Sequence, residues 1–264
     1  MNKLAFIGGT GVYDPGILSG IYTDIINTPF GEVSYEVGTF ENKEIIFMAR
    51  HGTHHTIPPH KINYRANIYA LKKLGVSAIV STTAVGSLNQ DYRPGELVLI
   101  DQFIDMTKSR EGTFYDGIFR GVAHFDMTNP YCGHLRKAII IAARQENIKL
   151  HQHGTYICTE GPRFETPAEI KAFQSWGADV VGMTNVPECQ LAREAEICYA
   201  TISMVTNFAA GISPSALTHK EVLDCMAQNI QSFQKIITIL CRSFDVDEDC
   251  DCRHSAKDFG GFQL

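Results

Sequence analysis

The chain has 264 residues, of which 44% are hydrophobic and 20% charged, the size and composition of one large soluble globular domain or two small ones. A formal net charge of −6 excludes the electrostatic footprint of a nucleic-acid or anionic-membrane binder. No apolar run approaches the ~18 residues that a spanning helix needs. Met1-Asn2-Lys3 leads into a short apolar run ended by Gly8-Gly9, which is not a signal peptide, so a cytoplasmic location is expected.

Short β-rich runs alternate with amphipathic helices along the chain. A strand is expected over 4–7 and another over 44–49, then a helix over 62–74. Strands come next at 77–82 and 96–103, a helix at 135–147, a strand at 154–159 and a helix at 167–176. The pattern closes with a strand at 178–183, a helix at 188–196, a strand at 198–206 and a long helix over 219–244. Thr166-Pro167-Ala168-Glu169 reads as a capping box with proline at the first helical position. Thr218-His219-Lys220-Glu221 reads as a second one, and Gly75 and Gly177 stand where glycine ends a helix. Such alternation predicts an α/β domain around a largely buried central sheet. Residues 1–244 form that domain, and residues 245–264 read as an acidic, solvated tail.

Of the eight cysteines, only Cys250-Asp251-Cys252 has suggestive spacing. It reads as a pair of tail thiols or, alternatively, as a vicinal redox pair or strained disulfide. A metal site is not expected, because no second Cys or His pair with zinc spacing accompanies it. His54, His55 and His60 are close in sequence, but adjacent histidines on a loop rarely converge on an ion.

Ligands of α/β folds bind at the carboxyl ends of strands, so the residues just past each strand carry the functional reading. Gly8-Gly9-Thr10-Gly11 offers free N–H groups and a hydroxyl suited to phosphate. It fails the dinucleotide fingerprint, since Asp14 occupies the third glycine position, which argues against a nicotinamide-dependent oxidoreductase. Arg50-His51 supplies a cationic fork and an imidazole. Thr83-Ala84-Val85-Gly86 and Met183-Thr184 place hydroxyls after buried strands. Phe164-Glu165 offers a ring for stacking and a carboxylate acceptor, and Asn207 offers donor and acceptor on one group. Each is open to a plain structural reading alone; together they meet the needs of a nucleoside and a phosphate.

Those segments, with Arg50-His51-Gly52, Glu160-Gly161-Pro162-Arg163-Phe164-Glu165-Thr166 and Gly182-Met183-Thr184-Asn185-Val186-Pro187-Glu188, resemble the trimeric purine nucleoside phosphorylase and methylthioadenosine phosphorylase family over roughly residues 1–240. The resemblance implies a single α/β domain with a central mixed, partly barrel-like sheet flanked by helices, a homotrimer, and phosphorolysis without metal or organic cofactor. It implies a phosphate site of Thr10, Arg50, His51, Thr83, Ala84 and Thr184. It places Met183 under the ribose, His219 at the ribose 5′-OH, and Phe164, Glu165 and Asn207 around the base, with Val85 and Gly86 alongside. Asn207, Arg50 and Glu165 would carry catalysis. Members that cleave methylthioadenosine have two aspartates in the segment matching Asn207-Phe208-Ala209 and Ser at the position of Glu165; this chain departs from both. The base pocket therefore resembles that of 6-oxopurine enzymes acting on inosine and guanosine. A methylthioinosine phosphorylase, and less so a methylthioadenosine phosphorylase, are the alternatives within the family. A non-catalytic nucleoside sensor and a water-using nucleosidase are the alternatives outside it.

Overall fold

In a computed structural model of the chain, the described residues are 3–8, 18–52, 56–213 and 219–263, with backbone alone for 219–228. The strands are β1 (Lys3–Gly8), β2 (Ser19–Thr28), β3 (Gly31–Phe40), β4 (Lys43–Ala49), β5 (Val76–Ser87), β6 (Leu97–Leu99), β7 (Gln102–Met106), β8 (Leu150–His151), β9 (Thr155–Thr159), β10 (Val180–Gly182) and β11 (Cys198–Phe208). The helices are α1 (Tyr64–Lys73), α2 (Gly133–Gln145), α3 (Pro167–Ser175), α4 (Glu188–Glu194) and α5 (His219–Ser243). They flank a single mixed sheet, as expected for an α/β domain. No described helix is long and apolar enough to cross a membrane.

Local chemistry sets the helix ends. The Thr166 hydroxyl accepts from the Glu169 N–H, the Glu169 carboxylate accepts from the Thr166 N–H, and Pro167 opens α3. Gly75 and Gly177 take positive φ just beyond α1 and α3. The second capping box begins at Thr218, outside the described residues.

Two expectations fail on the strands. The hairpin β2–β3 occupies a stretch where no strand is expected; β2 is an edge strand exposed along most of its length, whereas β3 does carry an alternating buried stripe of Val33, Tyr35 and Val37. The strand expected over 96–103 is two strands, because the chain changes partner there. β6 pairs with β11, then Ile100 N–H bonds to Thr201 and Asp101 N–H to Gly154, and β7 pairs with β9.

β5 is the hub. Along one edge it pairs in parallel with β11 from Ala78 to Ser87. On its other edge it pairs in parallel with β1 and then, at Gly86 and Ser87, antiparallel with β10. The sheet branches at that change of partner, with β10, β9 and β7 on one arm and β11, β6 and β8 on the other. One face of the β5–β11 pair is apolar: Ala78, Val80, Ala200, Ile202 and Met204 pack with Leu135 and Ile139 of α2 and Phe233, Ile236 and Leu240 of α5. The opposite face carries Ser81, Thr83, Tyr199, Thr201 and Ser203, all buried and all hydrogen-bonded.

The C-terminal segment is not a solvated tail. Ala256 is wholly buried, Cys252 and Phe262 nearly so, and the Phe262 ring packs against Tyr69 and Phe114. The Glu196 carboxylate accepts from the N–H groups of Ala256 and Phe262. The acidic composition at 245–258 conceals a few apolar residues at the right places, and these decide where the segment lies.

Candidate active site

The expected site residues converge on the carboxyl ends of β4, β5, β10 and β11. Arg50 leaves β4 with its side chain buried, and its fork is already occupied. Nε donates to Glu188 Oε2 at 2.7 Å and Nη2 to Oε1 at 2.8 Å. Nη2 also donates to Ser81 Oγ at 2.6 Å, and Nη1 to the Thr82 carbonyl at 3.1 Å. Of the five guanidinium N–H donors, these contacts account for four. The expectation that Arg50 clasps phosphate bidentately is therefore corrected: the carboxylate has taken that edge, and a single Nη1 N–H is left for a ligand. Burial alone would lower the Arg50 pKa, but the Glu188 charge outweighs it and holds the guanidinium well above its usual range. Glu188 opens α4 and also accepts from Ser81 Oγ at 2.7 Å and from Tyr199 OH at 2.8 Å. This pair is the keystone of the buried polar face.

Around it, further buried polar groups pair across the strands. Thr83 Oγ1 meets Ser203 Oγ at 2.8 Å across the β5–β11 register. Asn185 Nδ2 donates to Thr201 Oγ1 at 2.7 Å, and its Oδ1 accepts from Tyr131 OH. Burial pushes the phenols of Tyr131 and Tyr199 well above their ordinary pKa, so both stay neutral hydroxyls. His51 Nδ1 faces the Ile57 carbonyl at 2.8 Å; a carbonyl only accepts, so this nitrogen carries the proton. The Thr184 N–H donates to Tyr156 OH at 3.3 Å, which is possible because residue 182 is glycine: a Cβ there would run into that hydroxyl.

The opposite rim carries the residues expected to hold a base. A β-bulge at Thr206 moves the register so that Asn207, rather than Thr206, faces Gly86. The Thr206 hydroxyl donates to Asn207 Oδ1 at 2.8 Å, and Asn207 Nδ2 donates to the Phe208 carbonyl at 2.8 Å. That carbonyl can only accept, which orients the amide and leaves one N–H and one oxygen lone pair for a ligand. A Cβ at residue 86 would press against Asn207 Nδ2 and Val181, at 3.4 Å from each. Glu165 stands at the mouth, its Oε1 accepting from Thr159 Oγ1 at 2.6 Å. β10 joins the two halves of this rim, since Val181 pairs with Gly86 and Gly182 with Cys158 beside Thr159.

Met183 is half-buried against Gly161, whose φ of +69° and lack of a Cβ leave room for its sulfur. Ala84 is exposed on β5, while Val85 is buried in the core with its carbonyl bonded by Thr206 Oγ1. Phe164 is not brought in: it is 85% exposed and has no ring partner among the described residues. Thr10, His54 and His55 lie outside the described residues, and of His219 only the backbone, opening α5, is described.

Sequence reasoning passed over several residues that build the site. Glu188 lies in a quoted motif, yet its partners are 138 and 107 positions away and nothing local marks it as a counter-ion. Arg110 is another. It donates to the carbonyls of Val186 (2.6 Å), Thr159 (3.1 Å) and Glu160 (2.9 Å), tying the strand end that leads to Glu165 to the loop before Glu188.

The phosphorylase superfamily model matches residues 3–242. The chain belongs to that superfamily. It is 54% identical over 257 residues to a probable 6-oxopurine nucleoside phosphorylase of Dictyoglomus turgidum, covering 97% of each chain. It is 51% identical over 262 residues to a probable 6-oxopurine nucleoside phosphorylase of Thermococcus kodakarensis, covering 97% of this chain and 98% of that one. Among solved structures, a methylthioadenosine phosphorylase from an antarctic soil metagenomic library superimposes with a TM-score of 0.89 at 37% identity, over 96% of this chain and 90% of the other. The fold and the family expected from the motifs are thus both found, and the superfamily match ends before Cys250.

Finally, Cys132, Cys198, Cys250 and Cys252 converge, with Sγ atoms all within 4.8 Å of one another. No second cysteine pair with zinc spacing accompanies Cys250-Asp251-Cys252, yet the fold brings two widely separated cysteines to it: Cys132 precedes α2 and Cys198 opens β11. Spacing could not show this, because both partners come from distant strands and loops.

Proposed function

We propose that the protein is a purine nucleoside phosphorylase that cleaves 6-oxopurine nucleosides, inosine and guanosine, with inorganic phosphate to give free base and ribose 1-phosphate. The observation that carries this reading is the base rim. Glu165, oriented by Thr159, can only accept, and suits the N1–H of a 6-oxopurine. Asn207, oriented by Phe208 and Thr206, presents its remaining N–H to O6 and its remaining lone pair to a protonated N7. Ala209 leaves no carboxylate for an adenine amino group.

The transition state of such a cleavage places positive charge on the ribose and negative charge on the departing purine. Asn207 would stabilise the purine as that charge develops. Phosphate would lie below C1′ as nucleophile and counter-charge, held by the hydroxyls of Thr10, Thr83 and Thr184, by His51 and by the backbone at Ala84. Arg50, neutralised and positioned by Glu188, would contribute one N–H. Met183 would pack under the ribose, and Phe164, 85% exposed without a ligand, would have to move to cover the base. No step calls for a metal or an organic cofactor. We further propose a homotrimer in the cytoplasm; exposed Ile21, Tyr22 and Ile25 on the edge strand β2 support burial against another copy.

The similarity to a methylthioadenosine phosphorylase structure keeps methylthioinosine as a second substrate, sharing the base rim but not the ribose 5′ end. The test is one plate: inosine, guanosine, adenosine, methylthioadenosine and methylthioinosine, each with and without phosphate. Phosphate-dependent cleavage of inosine and guanosine is expected. Equal base release without phosphate would reject phosphorolysis. A higher kcat/KM for methylthioinosine than for inosine would transfer the assignment to that substrate.

A further inference from the structure

The cluster of Cys132, Cys198, Cys250 and Cys252 has no part in phosphorolysis. Cys198 opens β11 and Asn207 lies near its far end, nine residues on. At ~3.3 Å per residue the cluster is about 30 Å from the base rim.

Its geometry is that of a coordination shell. Cys132 Sγ lies 3.6 Å and Cys198 Sγ 3.7 Å from Cys250 Sγ, and no pair of the four Sγ atoms is more than 4.8 Å apart. Four thiolates at ~2.3 Å from a tetrahedral ion have sulfur–sulfur edges of ~3.8 Å. A disulfide requires ~2.05 Å, and all four sulfurs are free thiols. Cys132, Cys198 and Cys252 are buried; Cys250 is partly exposed, which gives an ion a way in. The ligand set is sulfur alone. Cys132 is the N-cap of α2, and its Sγ accepts from the Leu135 N–H at 3.4 Å, a contact that favours the anionic sulfur. The donors also come from three parts of the chain: the loop before α2, the start of β11, and the C-terminal segment.

We propose that Cys132, Cys198, Cys250 and Cys252 form a tetrathiolate site for a structural zinc ion that clamps the C-terminal segment onto the domain. On binding, four thiol protons pass to solvent and a Zn²⁺ with four thiolates is left at net charge −2. A closed four-sulfur shell has no open position for a substrate or water, so the site is structural rather than catalytic. All-sulfur tetrahedral coordination selects zinc, with iron the competitor of similar geometry.

The test uses the full chain, expressed with zinc and purified under reductant. Elemental analysis should find one zinc per chain and no stoichiometric iron, and a thiol reagent should reach four more cysteines after a chelator than before it. Cys250→Ser and Cys252→Ser should each abolish stoichiometric zinc, whereas Cys241→Ser, in the core outside the cluster, should retain it. Metal-free wild-type chain loaded with Co²⁺ should show the sulfur-to-metal charge-transfer and tetrahedral d–d bands of a tetrathiolate centre, a readout that does not require the variants to fold. A zinc-free chain whose mass is lower by four hydrogens would show two disulfides and overturn the proposal. So would four reactive thiols persisting under reductant and saturating zinc, stoichiometric iron in place of zinc, or Co²⁺ spectra with oxygen or nitrogen ligands.

Discussion

Glu188→Gln tests the buried pair on which the proposed phosphate half of the site rests. Glu188 Oε1 accepts from Arg50 Nη2, Ser81 Oγ and Tyr199 OH, and Oε2 accepts from Arg50 Nε alone. A glutamine keeping its oxygen at the crowded position would set its NH2 against the Nε–H, donor to donor. The guanidinium would lose one bond and all of its counter-charge while both side chains are 1% exposed. Removing one partner of a buried pair costs ~3–5 kcal/mol. At ~2–4 °C per kcal/mol for a domain of this size, the unfolding midpoint should fall by roughly 6–20 °C. Phosphate should then act as the substitute counter-charge. In the variant it should raise the midpoint more than in the wild type, where Glu188 already neutralises Arg50. At 100 times Kd, ligand binding stabilises by ~2.7 kcal/mol, or about 5–11 °C. Thermal unfolding of both proteins across a phosphate series decides it. A wild-type midpoint in the variant would show that the pair is not structural. Equal phosphate shifts in the two proteins would show that Arg50 does not face the phosphate.

Three further outcomes are expected. Inosine should exceed adenosine in kcat/KM by roughly 10²- to 10⁴-fold, since two unpaired buried groups cost ~1–3 kcal/mol each; Glu165→Ala should remove most of that gap by lowering inosine, and comparable values in the unmodified enzyme would refute the base-rim reading. Thr159→Val keeps the shape but removes the hydroxyl that orients Glu165, so inosine kcat/KM should drop about tenfold or more for a lost bond of ~1.5–3 kcal/mol to a charged group, with adenosine unaffected; a parallel drop for both would assign Thr159 to general stability. Burial raises the Glu194 carboxyl to about 7 even though the Phe114 N–H bonds to it. A raised folded-state pKa gives stability that is full below the unfolded value of ~4.5 and is lost as pH rises through 7. Unfolding free energy should therefore decline between pH 4.5 and 7, by up to about 3 kcal/mol relative to Glu194→Gln, and superimposable pH profiles would remove Glu194 as the cause.

Where chemistry is local, the sequence by itself was enough. Thr166 to Glu169 cap α3 because both partners lie within one turn, and Gly75 and Gly177 end helices at positive φ, which glycine adopts without strain. The alternation of buried strands and helices, and the hydroxylic and ionisable residues after each strand, were legible for the same reason, and with them the α/β class and the family. The tertiary structure decided whatever depends on residues far apart in the chain. The edge strand β2 has no buried face to announce it, and the alternate burial of Val33, Tyr35 and Val37 in β3 is set by its pairing with β4. The guanidinium of Arg50 could be read as a phosphate clamp only until Glu188, 138 positions away, was seen to occupy its fork. The bulge that turns Asn207 toward Gly86 depends on the register between β5 and β11. The tail is docked by Phe262 against Tyr69 and Phe114, and Cys250 and Cys252 meet Cys132 and Cys198 only because α2, β11 and the chain terminus pack together. Spacing along a chain records neighbours within a turn or a strand, whereas ion pairs and sulfur shells are set by how the sheet closes.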